Sequence, residues 1–112
     1  MILVLDDEQY RHDWFDQNVH PAPEHVYTVG TAISALTTTA YDVIYLDHDL
    51  GTEPLVGRDV ARYLADHPEC CRGASVIVHS VNGVSGPKIV RELRAAGRPA
   101  SWVPFHGLAA KH

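Results

Sequence analysis

The chain predicts an α/β fold, a three-layer sandwich on a five-stranded parallel sheet. Short apolar runs alternate with segments of helical periodicity along almost the whole length, the pattern of successive βαβ units. Three of those runs stop abruptly in polar clusters. Ile2-Leu3-Val4-Leu5 meets Asp6-Asp7-Glu8, Val43-Ile44-Tyr45-Leu46 meets Asp47-His48-Asp49, and Val76-Ile77-Val78 meets His79-Ser80 and then Asn82. The length of 112 residues, with 46% apolar and 21% charged residues, suits one folded domain over 1–112.

The elements follow in order. Met1 to Leu5 is short and apolar enough for a buried strand. Tyr10 to Val19 pairs Tyr10 with Trp14 and Phe15 with Val19 on a helical face, and Pro21 and Pro23 end it. His25 to Val29 is the second strand. Thr31 can cap a helix whose face holds Ile33, Leu36 and Ala40. Asp42 to Leu46 is the third strand, and Gly51 to Gly57 is a loop. Arg58 to Asp66 carries a stripe of Val60, Ala61 and Leu64, stopped by Pro68. Ser75 to Val78 is the fourth strand. Asn82-Gly83 turns the chain, Ser85 and Pro87 open a helix, and Gly97 closes it. Ser101 to Phe105 is the fifth strand. Only seven residues follow Phe105, so the final helix should be short or absent. Part of one sheet face would then be bare, inviting a homodimer or a protein partner.

Composition excludes some classes of function. The net charge is −5 and lysine is confined to Lys88 and Lys111, which argues against binding duplex DNA. No apolar run approaches the roughly 20 residues of a membrane helix. The first apolar run stops at Asp6, too early for a secretion signal, so a cytoplasmic location is expected. Cys70 and Cys71 are adjacent and provide no disulfide framework.

In a parallel sheet every strand ends along one edge, where ligands bind. The three polar clusters should therefore converge. Asp6, Asp7 and Asp47 would repel one another unless a cation neutralised them or one of them took up a proton, and oxygen ligands suit Mg2+ or Mn2+; one or two of the acids could instead cap neighbouring loops or helices. If the third and fourth strands are neighbours, His48 and His79 would lie near each other, with side chains that exchange protons near neutral pH. Ser80 and Asn82 could donate hydrogen bonds to an anion or simply satisfy local backbone groups. Glu8 and Asp49 are flanking acids with weaker cases. Arg58, just beyond Gly57, could reach the edge or lie on the surface. His12, His20, His25 and His67 read as solvated, and Trp14 and Trp102 as core or interface residues.

ILVLDDE, DVIYLDHDLG and VIVHS resemble response-regulator receiver domains over nearly the whole length. That resemblance implies the receiver (flavodoxin-like) topology. It also implies a magnesium site at Asp6, Asp7 and Asp47, a phosphorylated Asp47, and Ser80 at the position closing the fourth strand. Receivers close the fifth strand with a lysine, but here it reads Trp102-Val103-Pro104-Phe105-His106, and His106 could stand in for that cation. LDDE, LDHDLG and HSxN together are more similar to the cyclic-phosphate processing receiver-like domains. That resemblance implies a phosphoesterase acting on a cyclic nucleotide or on an RNA end carrying a cyclic phosphate. His48, His79 and Asp47 would be its catalytic residues, Ser80 and Asn82 would bind phosphate, and Asp6, Asp7 and Asp47 would hold the metal. The alternatives are a receiver phosphorylated on Asp47 and a non-catalytic interaction module.

Overall fold

The computed structural model of the chain describes residues 1–47 and 57–111. Its elements are β1 Ile2–Leu5, α1 Gln9–Asn18, β2 Glu24–Val26, α2 Val29–Thr38 and β3 Val43–Leu46. Then come α3 Gly57–Asp66, β4 Ser75–Val78, α4 Ser85–Ala95, β5 Ala100–Trp102 and α5 Phe105–Lys111. The strands form one parallel sheet in the order β2-β1-β3-β4-β5. The expected α/β sandwich is therefore present. No helix among the described residues is long and apolar enough to cross a membrane.

Alternation along the strands divides the core into two layers. Leu3, Leu5, Ile44, Leu46, Val76 and Val78 bury one face against residues of α2, α3 and α4, including Leu36, Leu64, Ile89 and Leu93. Val4 and Tyr45 face the other way, onto Phe15 of α1 and Leu108 of α5. Each fully buried Leu, Ile or Phe contributes about 1.5–3 kcal/mol, so the first, larger layer supplies most of the apolar stabilisation.

Two local features differ from the sequence expectation, and a third is one that the sequence did not signal. β2 ends at Val26, and α2 starts at Val29, which is buried. Thr28, rather than Thr31, is the N-cap. The two threonines form a reciprocal capping box in which each backbone N–H donates to the other's hydroxyl oxygen. Val29, in the first turn of that helix, is buried in the larger core layer.

The second difference lies at the C-terminus. β5 ends at Trp102, and Phe105 opens α5 instead of finishing the strand. The Pro104 carbonyl accepts the N–H groups of Gly107 at 2.8 Å and Leu108 at 3.0 Å, so the helix starts within the few residues that remain. Leu108 then packs with Phe15 and Val4. The final helix is short, as expected, but it joins α1 in covering the face expected to be bare.

The third is a buried cation. Arg98 donates to the carbonyls of Leu64, His67, Cys70 and Cys71 at 2.5–3.2 Å, tying the end of α3 and the following turn to the end of α4. Carbonyls left over at a helix C-terminus attract positive charge, which explains how this arginine is buried.

Candidate functional site at the carboxyl edge of the sheet

Strand register brings the polar clusters together. Leu5 pairs with Leu46, and Leu46 with Val78. The next residues on the three neighbouring strands, Asp6, Asp47 and His79, therefore stand side by side. The ladder continues one step into them, since Asp47 N–H donates to Leu5 at 3.0 Å and His79 N–H to Leu46 at 2.9 Å. Potential ligand atoms of Asp6, Asp47 and His79 lie within 4.8 Å of one another, and all three residues are buried. Asp7 is half-buried and falls outside this cluster. His48 and Asp49 lie outside the described residues, so the expected His48–His79 pair does too.

Asp6 is the most constrained of the three. Its Oδ1 accepts the backbone N–H of Glu8 at 2.9 Å, while Oδ2 accepts from His79 Nε2 at 2.7 Å and Arg11 at 3.3 Å. Burial pushes this carboxyl up. The hydrogen bond and charge of His79, the Glu8 N–H and Arg11 outweigh that and hold it below the usual carboxylate range. Next door, Asp7 is pushed up by burial and by the charges of Asp6 and Glu8.

His79 is sealed from solvent. Its ring lies among Phe15, Tyr45 and Phe105, with centroid separations of 5.4, 6.4 and 6.5 Å. Nε2 faces Asp6, and Nδ1 is buried with no hydrogen-bond partner among the described residues. Burial lowers the imidazole pKa against the pull of Asp6. The arrangement is a neutral imidazole donating its Nε2–H to an ionised carboxylate.

Arg11 is the residue that the sequence reading missed. It lies in the first turn of α1, and its NH1 reaches Asp6 Oδ2 at 3.3 Å and Asp47 Oδ2 at 3.4 Å. Burial alone would lower the guanidinium pKa, but the Tyr10 hydroxyl and the two carboxylates raise it. A helical arginine looks solvated in sequence. The available signal was its position one turn beyond an acid pair that needs a counter-charge.

His12 corrects the expectation of a solvated side chain. It is buried, with Nε2 at 2.8 Å from the Asp6 carbonyl oxygen and Nδ1 at 2.6 Å from His25 Nδ1. His25 in turn meets Asp16 at 2.6 Å. His12 and Phe15 form the buried stripe of α1, and the strand-end carbonyl and His25 supply the partners that let an imidazole lie there.

The remaining positions divide clearly. Ser80 is fully buried and its Oγ accepts the Asn82 N–H at 3.1 Å. Asn82 Oδ1 accepts from Val84 and Ser85, both at 2.9 Å, which caps the start of α4. Its Nδ2 has no partner among the described residues and remains available as a donor. Trp102, partly exposed, donates its indole N–H to the Ser80 carbonyl at 2.8 Å. Arg58 is committed to Glu92 across α3 and α4, at 2.5 and 3.2 Å. His106 is exposed on α5.

The donor chemistry fits a hard divalent cation, since two carboxylates from adjacent strands share one edge of the pocket. Receiver domains bind Mg2+ in an acidic pocket of this kind.

Solved structures share this architecture. A receiver domain of a Francisella response regulator is 20% identical, with a TM-score of 0.67, covering 98% of this chain and 90% of that one. The response regulator TrrA of Thermotoga maritima, solved in complex with Mg2+-BeF, is 18% identical with a TM-score of 0.71, covering 98% and 93%. A CheY-like receiver domain from Methylobacillus flagellatus is 15% identical with a TM-score of 0.70, covering 98% and 92%. At these identities the likeness shows the fold. No curated protein sequence matches the chain. The family model of the cyclic-phosphate processing receiver domain matches residues 1–95, and the chain belongs to that family.

Proposed function

We propose that the protein is a phosphoesterase that opens a cyclic phosphate, on a cyclic nucleotide or an RNA end. One observation carries this reading: Asp6, Asp47 and His79 meet at one sheet edge beside a guanidinium, in a chain whose fifth strand lacks the receiver lysine. The family match supports the same substrate class.

Asp6 and Asp47, with Asp7 adjacent, would hold Mg2+ or Mn2+. When bound, the cation would offset their charge and polarise a phosphate oxygen. Ring opening forms one P–O bond to water and breaks one ring P–O bond, and the proton lost by the water ends on the departing ring oxygen. An imidazole carries such a proton near neutral pH, and His48, directly after Asp47 in sequence, is assigned that transfer. His79 has its one bonded nitrogen on Asp6 and no solvent contact, so its part is to fix Asp6 in place. Ser80 and Asn82 would hold phosphate oxygens, Asn82 through its Nδ2.

A second reading has its own support. Asp47 closes the third strand beside Asp6, and the structural neighbours are response-regulator receivers, so phosphorylation on Asp47 is the rival. The two readings separate in a turnover screen with 3′,5′- and 2′,3′-cyclic nucleotides, cyclic dinucleotides and an RNA with a terminal cyclic phosphate. Mn2+, Mg2+ and EDTA lanes accompany wild type and His48→Ala. Product that disappears with His48→Ala supports the esterase. A folded protein that opens none of these rings contradicts it.

A further inference from the structure

We propose that Arg11 is the pocket's own cation. It holds Asp6 and Asp47 together when no metal is bound, and it contacts the phosphate when one is, filling from α1 the role of the lysine that the fifth strand lacks. The phosphate contact rests on the reading of the pocket as a phosphate site.

The geometry is that of a shared, releasable counter-ion. NH1 stands 3.3 Å from one carboxylate and 3.4 Å from the other, and the side chain is only 13% exposed. Tight charge-assisted hydrogen bonds are about 2.7–2.9 Å, so the guanidinium spans both acids without closing on either. Among the described residues, Asp6 and Asp47 set two carboxylates against the single guanidinium of Arg11, which leaves this pair of acids incompletely neutralised. A divalent cation can still be drawn in against such a balance.

The head of Arg11 is also cradled apart from the acids. Nε donates to the Tyr10 hydroxyl at 3.0 Å, and Cζ lies 5.5 Å from the Tyr10 ring centre and 5.2 Å from that of Phe105. These contacts keep the guanidinium at the pocket after the carboxylates have been neutralised. Among the described residues NH2 makes no hydrogen bond, so NH1 and NH2 form a fork suited to two phosphate oxygens. His106, the other possible substitute, is exposed on α5.

The test measures binding, not turnover. Mn2+ affinity is read from the free-ion paramagnetic resonance signal, and uptake of inorganic phosphate by the Mn2+-loaded protein from calorimetry. Wild type, Arg11→Ala and Arg11→Lys are compared, with circular dichroism confirming the fold and Arg11→Lys serving should Arg11→Ala unfold. Arg11→Ala is expected to bind Mn2+ about tenfold more tightly and phosphate about tenfold more weakly, the scale of one charge-assisted contact. Arg11→Lys should return Mn2+ affinity toward wild type but recover phosphate only in part. Unchanged Mn2+ affinity in Arg11→Ala overturns the counter-ion role. Equal phosphate uptake by wild type and Arg11→Ala overturns the phosphate contact and leaves the phosphate-site reading standing. A wild type that binds Mn2+ but no phosphate sinks that reading itself, and the contact with it.

Discussion

Asp6 and His79, 73 residues apart in sequence, share a 2.7 Å hydrogen bond in which neither side chain is exposed to solvent. Parallel pairing through β3 creates the contact, because each residue directly follows the last residue of its strand, Leu5 and Val78, both in register with Leu46.

Burial of this pair makes the metal-free protein acid-sensitive. Folded His79 has a lowered pKa and stays neutral, while the unfolded chain takes up a proton below about pH 6.5. The unfolded state then binds more protons, so stability falls as pH drops below that point, by at most about 1.4 kcal/mol per pH unit for this group. Asp6, also lowered, adds a further loss at more acidic pH. Urea unfolding midpoints between pH 8 and 5 should show the decline, and His79→Phe should remove its near-neutral part. A flat profile in wild type would contradict the neutral imidazole.

Arg98 should matter more to stability than any exposed arginine. Its guanidinium satisfies carbonyls at the end of α3, and Arg98→Ala would leave them buried without donors. A loss of roughly 3 kcal/mol is expected, from the usual cost of orphaning such groups. Chemical denaturation measures it, and hydrogen exchange should place the loosening at the last turn of α3. A change within 0.5 kcal/mol, as is usual for surface substitutions, would mean the contacts are dispensable.

Gly86 is where Trp102 rests on α4. A Cβ there would run into the indole ring, whereas one at Gly83 would meet its edge at an ordinary 3.9 Å. Gly86→Ala should displace Trp102, break its bond to the Ser80 carbonyl and cost about 1–3 kcal/mol. Gly83→Ala is the control and should be close to neutral. Tryptophan emission reports the displacement, and identical spectra for both variants would rule out the close packing.

Much of the site was legible because β-strand endings are sharp in sequence. Asp6, Asp47 and His79 each follow the last apolar residue of a run, and parallel register turns that shared position into contact. Arg11 and His12 were not legible in the same way. Helical periodicity marks apolar faces, and a charged residue on the pocket-facing side of α1 looks the same as one in water. His12 depends on a partner in β2 and on a strand-end carbonyl, contacts that only the folded chain assembles. Arg98 is hidden for a related reason, since its partners are backbone carbonyls that carry no side-chain signal. Phe105 reads as the end of the fifth strand because it plays both parts: its N–H still donates to the His79 carbonyl at 2.9 Å, while the same residue opens α5.

The proposed function requires the pocket of Asp6 and Asp47 to open a cyclic phosphate. The most direct measurement follows the phosphorus signal of a 2′,3′-cyclic-phosphate RNA end and of the cyclic nucleotides by 31P NMR, with Mn2+-free Mg2+ buffer and with wild type and Asp47→Asn in parallel. A cyclic resonance should give way to a monoester resonance with wild type and persist with Asp47→Asn. Cyclic resonances unchanged by wild type, together with an acyl-phosphate signal on the protein after acetyl phosphate is added, would rule out the esterase and establish the phosphorylated receiver instead.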